Sequence, residues 1–210
     1  ASFRAIYSAR ETIHSVFNAP KNSAILFTGS STEAANLVIW SAVMNHWQSS
    51  GTAGRVLLSA TEHSAVRNTV YGLARLGFCE PVVIPVDSNA LVRLDRLSDE
   101  LKHGAVLVSI LGANNELGTI QPVAEIARMC QNHGIPYHCD ATQLTAHSLI
   151  DLTDCPLDYM TISGHKLYGP KGVGAVIVRD SDTLRPQVFG AGQEMKLRAG
   201  TENVPYIVGI

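Results

Sequence analysis

Apolar runs of strand length recur along this chain at residues 24–28, 55–59, 82–86, 105–111, 136–140, 158–163 and 173–178. Several are apolar at consecutive positions rather than at every second one, as in Val106-Leu107-Val108-Ser109-Ile110-Leu111. Such runs suit strands covered on both faces, the condition of a mainly parallel sheet. Helix-period segments lie between them. The clearest is 122–133, where Val123, Ile126, Ala127 and Cys130 fall at i, i+3, i+4 and i+7. Pro122 fits its first helical position and Gly134 the position just past its end. Val66, Val70 and Leu73 form a similar stripe that stops at Gly77, and residues 2–16 and 33–48 also read as helical. The alternation predicts three α/β/α layers around a mainly parallel seven-stranded sheet. In such sheets ligands bind at the carboxyl ends of the strands. No repeat, low-complexity tract or linker interrupts the pattern, so 1–210 reads as one domain.

A hydrophobic fraction of 46% in 210 residues supports a substantial core. A net charge of -2 and a pI near 6.5 argue against nucleic acid or an anionic membrane as partner. No apolar run is long enough to span a bilayer, and no basic segment followed by an apolar one opens the chain. Cys79, Cys130, Cys139 and Cys155 lack paired spacing and read as reduced, core-facing thiols of a cytoplasmic protein. Neither a C-x-x-C pair nor another metal cluster is present. The chain starts directly on a helical pattern and stops at the apolar Val208-Gly209-Ile210, which reads as a fragment of a longer polypeptide.

Residues able to do chemistry fall at the ends of the apolar runs. Thr28-Gly29-Ser30-Ser31-Thr32-Glu33 joins the first strand to a helix. Free amides and hydroxyls there would attract a phosphate; an ordinary Ser/Thr cap with Glu33 in the first turn fits the same residues. Thr61-Glu62-His63-Ser64 follows the second strand. His63 would either stack on an aromatic cofactor and move protons or bond locally at a helix start. Gly112-Ala113-Asn114-Asn115-Glu116 offers donors and acceptors to a ligand, or makes an Asn-rich turn. Tyr137-His138-Cys139-Asp140-Ala141-Thr142-Gln143 ends an apolar run in a carboxylate that needs a partner or a capping role. In Ser163-Gly164-His165-Lys166 an amine follows a β-branched run, with Ser163 and His165 as phosphate donors beside it. Lys166 and Asp140 at neighbouring strand ends are what a pyridoxal phosphate (PLP) site needs. The amine takes up the aldehyde and the carboxylate keeps the pyridine nitrogen protonated. A solvated loop position is the ordinary fate of a lysine, and Lys171 is read that way.

With Arg198-Ala199-Gly200-Thr201-Glu202-Asn203, these motifs occur in one order that resembles the cysteine desulfurases, PLP enzymes of the class V aminotransferase group. The resemblance covers essentially all 210 residues. It implies the large domain of a PLP-dependent transferase of fold type I. It implies Lys166 as the covalent anchor, His63 stacked on the ring, Asp140 on the ring nitrogen and Gln143 on the ring oxygen. Ser31, Thr32, Ser163 and His165 would hold the phosphate, with Gly164 inside that last motif. Asn115 would lie by the ring oxygen and the substrate carboxylate. Thr201 would reach the phosphate of a neighbouring subunit, which implies a homodimer. The implied reaction converts L-cysteine to L-alanine and passes sulfur to an enzyme cysteine, then to an acceptor protein. That cysteine, the substrate-carboxylate arginine, a small domain and an N-terminal segment would lie outside this chain. None of its own four cysteines matches the nucleophile, and strand alternation turns Cys139 away from Asp140. Ala191 stands where many relatives carry a glycine. The same large domain serves selenocysteine lyases and other class V members. A non-catalytic scaffold would be a reading of another class; an intact Lys166, Asp140 and His63 argue against it.

Overall fold

The computed structural model describes residues 2–210. Seven strands form one sheet: β1 (Ala24–Thr28), β2 (Gly54–Ser59), β3 (Cys79–Ile84), β4 (Leu107–Ser109), β5 (Tyr137–Asp140), β6 (Tyr159–Ser163) and β7 (Gly174–Val178). Their order across the sheet is β1-β7-β6-β5-β4-β2-β3. Neighbours from β3 to β6 are parallel, whereas β7 is antiparallel to both β6 and β1. The expected mainly parallel sheet is present, with β7 alone reversed.

Helices cover both faces. Helices α2 (Ser31–Ser50) and α3 (Ser64–Arg75) bury one face, where Leu26, Val56, Leu58, Leu107, Val176 and Val178 point. Helices α1 (Ser2–Val16), α4 (Leu94–Leu101), α5 (Val123–Asn132) and α6 (Val204–Val208) bury the other, against Phe27, Leu57, Val108, Met160 and Ile177. Alternation along each strand feeds the two cores in turn, which makes the three layers. α2 crosses the sheet over β1, β7, β6, β5, β4 and β2. Its buried residues run from Ala34 through Ile39 to Met44 and leave little of its circumference wet.

Some boundaries differ from the sequence pattern, each for a visible reason. β3 begins at Cys79 and runs through Pro81, before the expected start at Val82. It is an edge strand, so a residue without an N–H is tolerated there. The run 105–111 yields a strand of only three residues. β2 leaves the sheet at Ser59, so pairing on that side stops at Leu58–Ser109, while Ile110 and Gly112 still donate to His138 and Asp140 carbonyls. Pro122 lies at the N-cap of α5, one place before the first helical position. Helix α4 was not apparent in the hydrophobic pattern: in its eight residues only Leu97 and Leu101 are buried.

The segment after β7 folds back onto the chain's beginning. Glu194 is buried and accepts from both Arg10 (2.6 and 2.7 Å) and the Phe27 N–H (2.9 Å). Its neighbours Met195 and Lys196 share its left-handed backbone, with φ of 58° and 67° against 44° for Glu194. That conformation costs roughly 1–2 kcal/mol per residue with a side chain. The ion pair with Arg10 holds the turn in place.

Close approach of β7 to the start of α2 gives a direct test. A Cβ on Gly174 would sit 2.5 Å from the Ser30 carbonyl carbon and 2.6 Å from the Ser31 nitrogen, both backbone atoms. Gly174→Ala should therefore destabilise the chain by about 1–3 kcal/mol in urea unfolding. Gly72→Ala, in α3 with open space around the new methyl, should stabilise it by roughly 0.5–1 kcal/mol.

Candidate active site

A small cleft of about 80 Å³ opens at the carboxyl ends of the parallel strands. Its walls come from element ends far apart in sequence. Ser31 is the first residue of α2, His63 the N-cap of α3, and Asp140 the last residue of β5. Asn115 arrives on the turn after β4, Gln143 on the turn after β5, and Lys166 at the end of the single turn Gly164–Lys166 after β6. Six of the residues expected from sequence thus meet in one cleft.

Asp140 is 6% exposed. One carboxylate oxygen accepts from the Thr142 N–H at 3.0 Å, and the other makes no hydrogen bond within the described chain. Asp140 thus caps the turn that follows it and still presents a charge to the cleft. His63 takes the local bond weighed for it and also lines the cleft. Its Nδ1 accepts from the Ala65 N–H at 3.1 Å and caps α3. The neutral ring therefore carries its proton on Nε2, and the exposed ring forms one wall. Asn114 takes the turn-forming role: its side chain accepts from Glu116 and Leu117 and donates to the Thr61 carbonyl. Asn115 is left free to face the cleft.

At the start of α2 the cap is Ser30, whose Oγ accepts from the Glu33 N–H at 3.1 Å. Glu33 in return accepts from the Gly29 N–H at 2.8 Å and from Arg198 at 2.6 and 3.2 Å. This capping box occupies Ser30 and Glu33, leaving Ser31 with its hydroxyl on the cleft and a first-turn N–H without a helical acceptor. Thr32 instead lines a groove between α2 and α3. Ser163 is buried and bonds His165 Nδ1 at 2.9 Å; neither they nor Gly164 line the cleft. Thr201 is exposed and lines a separate cavity beside Gly29 and Arg198.

Two buried groups escaped the sequence reading. His138 lies two residues before Asp140, on the same strand face. It bridges Ser109 Oγ (2.8 Å) and Thr161 Oγ1 (3.1 Å) across three strands. Burial drives its pKa down against the pull of the Asp140 charge, so the ring is neutral. Glu62 is 5% exposed, and burial pushes its carboxyl up to about 8, with the Asp140 charge adding to the effect against three hydrogen bonds that lower it. The spacing His138-x-Asp140 and a glutamate directly after a buried strand were the available signals.

The cleft's chemistry fits PLP. An amine, a carboxylate, an imidazole and two amides converge, and Thr142 Oγ1 is buried there without a partner among the described residues. Cys139 faces the opposite core, as alternation required. All four thiols are buried, and burial raises the pKa of Cys79 and Cys155 to about 11, of Cys130 to about 12 and of Cys139 well above the usual thiol range. Reaction needs the thiolate. At pH 8 the folded chain should therefore leave a thiol reagent such as dithionitrobenzoate unreacted over minutes, and all four cysteines should react after denaturation. A fast-reacting thiol in the folded chain would contradict this.

The model of the aminotransferase class-V family matches residues 2–210. The cysteine desulfurase IscS of Dictyoglomus turgidum is 38% identical over 207 residues, 98% of this chain and 51% of that protein. The cysteine desulfurase IscS of Klebsiella pneumoniae is 42% identical over 188 residues, 89% and 46% of the two chains. A solved structure of SspA in complex with cysteine matches with a TM-score of 0.92 at 35% identity, over 99% of this chain and 59% of that one. A NifS-like protein matches with the same TM-score and identity, over 56% of its length. This chain spans about half the length of the curated relatives it matches. The sheet order, the cleft at its carboxyl edge and the match over the whole described chain agree: it belongs to the class-V aminotransferase family.

Proposed function

We propose that this chain binds PLP and carries the cofactor in an enzyme that takes sulfur from L-cysteine. The observation that supports the cofactor reading is the convergence of Lys166, Asp140 and His63 on one cleft. The substrate reading draws on the similarity to cysteine desulfurases and to a relative solved with cysteine. PLP, when bound, supplies an aldehyde and an electron-withdrawing ring that stabilises negative charge at the substrate Cα.

The chain's own residues have separable tasks. Lys166 offers the amine that anchors the cofactor and accepts or returns a proton once displaced. Asp140, fixed by Thr142, keeps a negative charge where the ring nitrogen would hold its proton. His63 covers one side of the cleft and has Nε2 available for proton transfer. Gln143 would donate to the ring oxygen, and Asn115 would meet that oxygen and the substrate carboxylate. Ser31 and the first-turn amides of α2 would receive the phosphate, with the helix dipole in support. Thr32, Ser163 and His165, the other phosphate contacts the resemblance implies, do not line the cleft: Thr32 lies in the α2–α3 groove and Ser163 bonds His165. Thr201, outside this chain's cleft, suits a homodimer in which it serves a neighbour. The buried, unreactive thiols suit a nucleophilic cysteine elsewhere in the enzyme, a sulfur-acceptor protein beyond it and a reducing, cytoplasmic setting.

Reduction with borohydride in the presence of PLP, followed by peptide mapping, should place the label on Lys166. Lys166→Ala should lose it while keeping weak PLP binding. A label on Lys171, or on no lysine, would overturn the assignment. Asp140→Asn preserves shape and removes the charge, so α-proton exchange of alanine by the holoenzyme should slow by at least about tenfold, or 1.4 kcal/mol. The loss of PLP affinity should be smaller. Unchanged exchange would remove Asp140 from the ring nitrogen.

A further inference from the structure

Glu62 has no task in the scheme above, yet it is the most constrained carboxyl at the site. One oxygen, Oε1, accepts from Ser59 Oγ and from the Leu111 N–H, both at 2.8 Å. The other, Oε2, is buried with no partner among the described residues. Ser59 ends β2 and Leu111 lies just past β4, so one carboxyl ties together the exits of two neighbouring strands. A second tie lies beside it, from Asn114 Nδ2 to the Thr61 carbonyl at 2.9 Å. These two exits carry His63 and Asn115, both of which line the cleft.

We infer that Glu62 is a positioning residue: its carboxyl clamps the β2 and β4 exits and so fixes the spacing between His63 and Asn115. The inference builds on the reading of this cleft as the PLP site, but its main readout needs no cofactor. An ionised carboxylate in this place would have an oxygen buried without a donor, and would add a second negative charge near Asp140. Burying a charge that way is costly, and the carboxyl stays protonated up to about pH 8. The other titratable groups within electrostatic reach are Asp140, Tyr137 and Cys139, all on β5. Burial pushes Tyr137 and Cys139 well above their usual values, so both are neutral through this range. Ionisation would strengthen the two bonds at Oε1 but leave a buried charge beside Asp140, so the surroundings of His63 should change as pH rises through the Glu62 transition.

The test follows the imidazole of His63 by NMR in the cofactor-free chain, between pH 6 and 10. Besides its own titration, the His63 resonance should show a second inflection near pH 8. Glu62→Gln, which keeps an acceptor in the clamp and cannot ionise, should abolish that inflection and leave the neutral-pH shift nearly parental. Ser59→Ala removes a hydrogen bond that lowers the Glu62 pKa, so the inflection should move to higher pH. With PLP added at pH 7, Glu62→Gln should bind within about threefold of the parent. Glu62→Ala, losing both hydrogen bonds of the clamp, should bind at least about tenfold more weakly. A parental inflection in Glu62→Gln would overturn the assignment of the proton. Equal behaviour of the Gln and Ala variants would overturn the clamp. If Glu62→Ala does not fold, the Gln and Ser59→Ala titrations decide the matter alone. Failure of PLP to bind the parent would count against the cofactor reading, whereas the His63 titrations would still test the clamp.

Discussion

Polar side chains placed between a sheet and a helix that is apolar nearly all round must find partners among themselves, because water does not reach them. Ser109, His138, Asp140, Thr161 and Ser163 occupy that position on β4, β5 and β6, beneath α2. Ser109, His138 and Thr161 satisfy one another across the strands, Ser163 turns to His165, and Asp140 takes the Thr142 amide. Each bond uses capacity that would otherwise compete for Asp140. The carboxylate is left with one oxygen toward the cleft and the other on the Thr142 amide, and the imidazole behind it is neutral. In this way the register of β4, β5 and β6 fixes the electrostatics of the site before any ligand arrives.

The layers and the sheet were legible because both-face burial writes itself as consecutive apolar residues, as in Val106 to Leu111 and Ala175 to Val178. The residues of the cleft were legible for a related reason: each follows such a run directly, and strand ends are where parallel sheets bind ligands. What could not be read was which of two adjacent hydroxyls faces where. Ser30 caps and Ser31 lines the cleft, a distinction set by one turn of backbone. Thr32 follows α2 round to its other side. Glu62 was hidden because a glutamate beside a histidine reads as a solvated turn. Its burial depends on Leu111, which is 49 residues away. The reversal of β7 was likewise unreadable, since strand periodicity carries no direction.

The segment that follows β7 shows how one side of the site is braced. Arg198 grips Glu33 within the α2 capping box, and Glu194 joins Arg10 to the β1 backbone. Both links run from the chain's last third to the elements that frame Ser31. Breaking a buried pair on one side leaves a charge without a partner, at a typical cost of about 3–5 kcal/mol. Glu194, with its side chain 2% exposed, fits that condition better than Glu33, at 28%.

The place of β1 in the sheet has a consequence in time. Its only neighbour among the described residues is β7, and Ala24 pairs with Val178. On a ribosome adding roughly 5–20 residues per second, β1 would wait on the order of ten seconds or more for its partner to be made. Through that interval Ile25, Leu26 and Phe27 lack their ladder, and the turn that presents Ser31 lacks the strand that presses on it. Emergence of β7 would complete the sheet and this wall of the cleft together. A nascent chain of this design would gain its ligand site late and abruptly, and until then would depend on whatever shields an unpaired apolar strand.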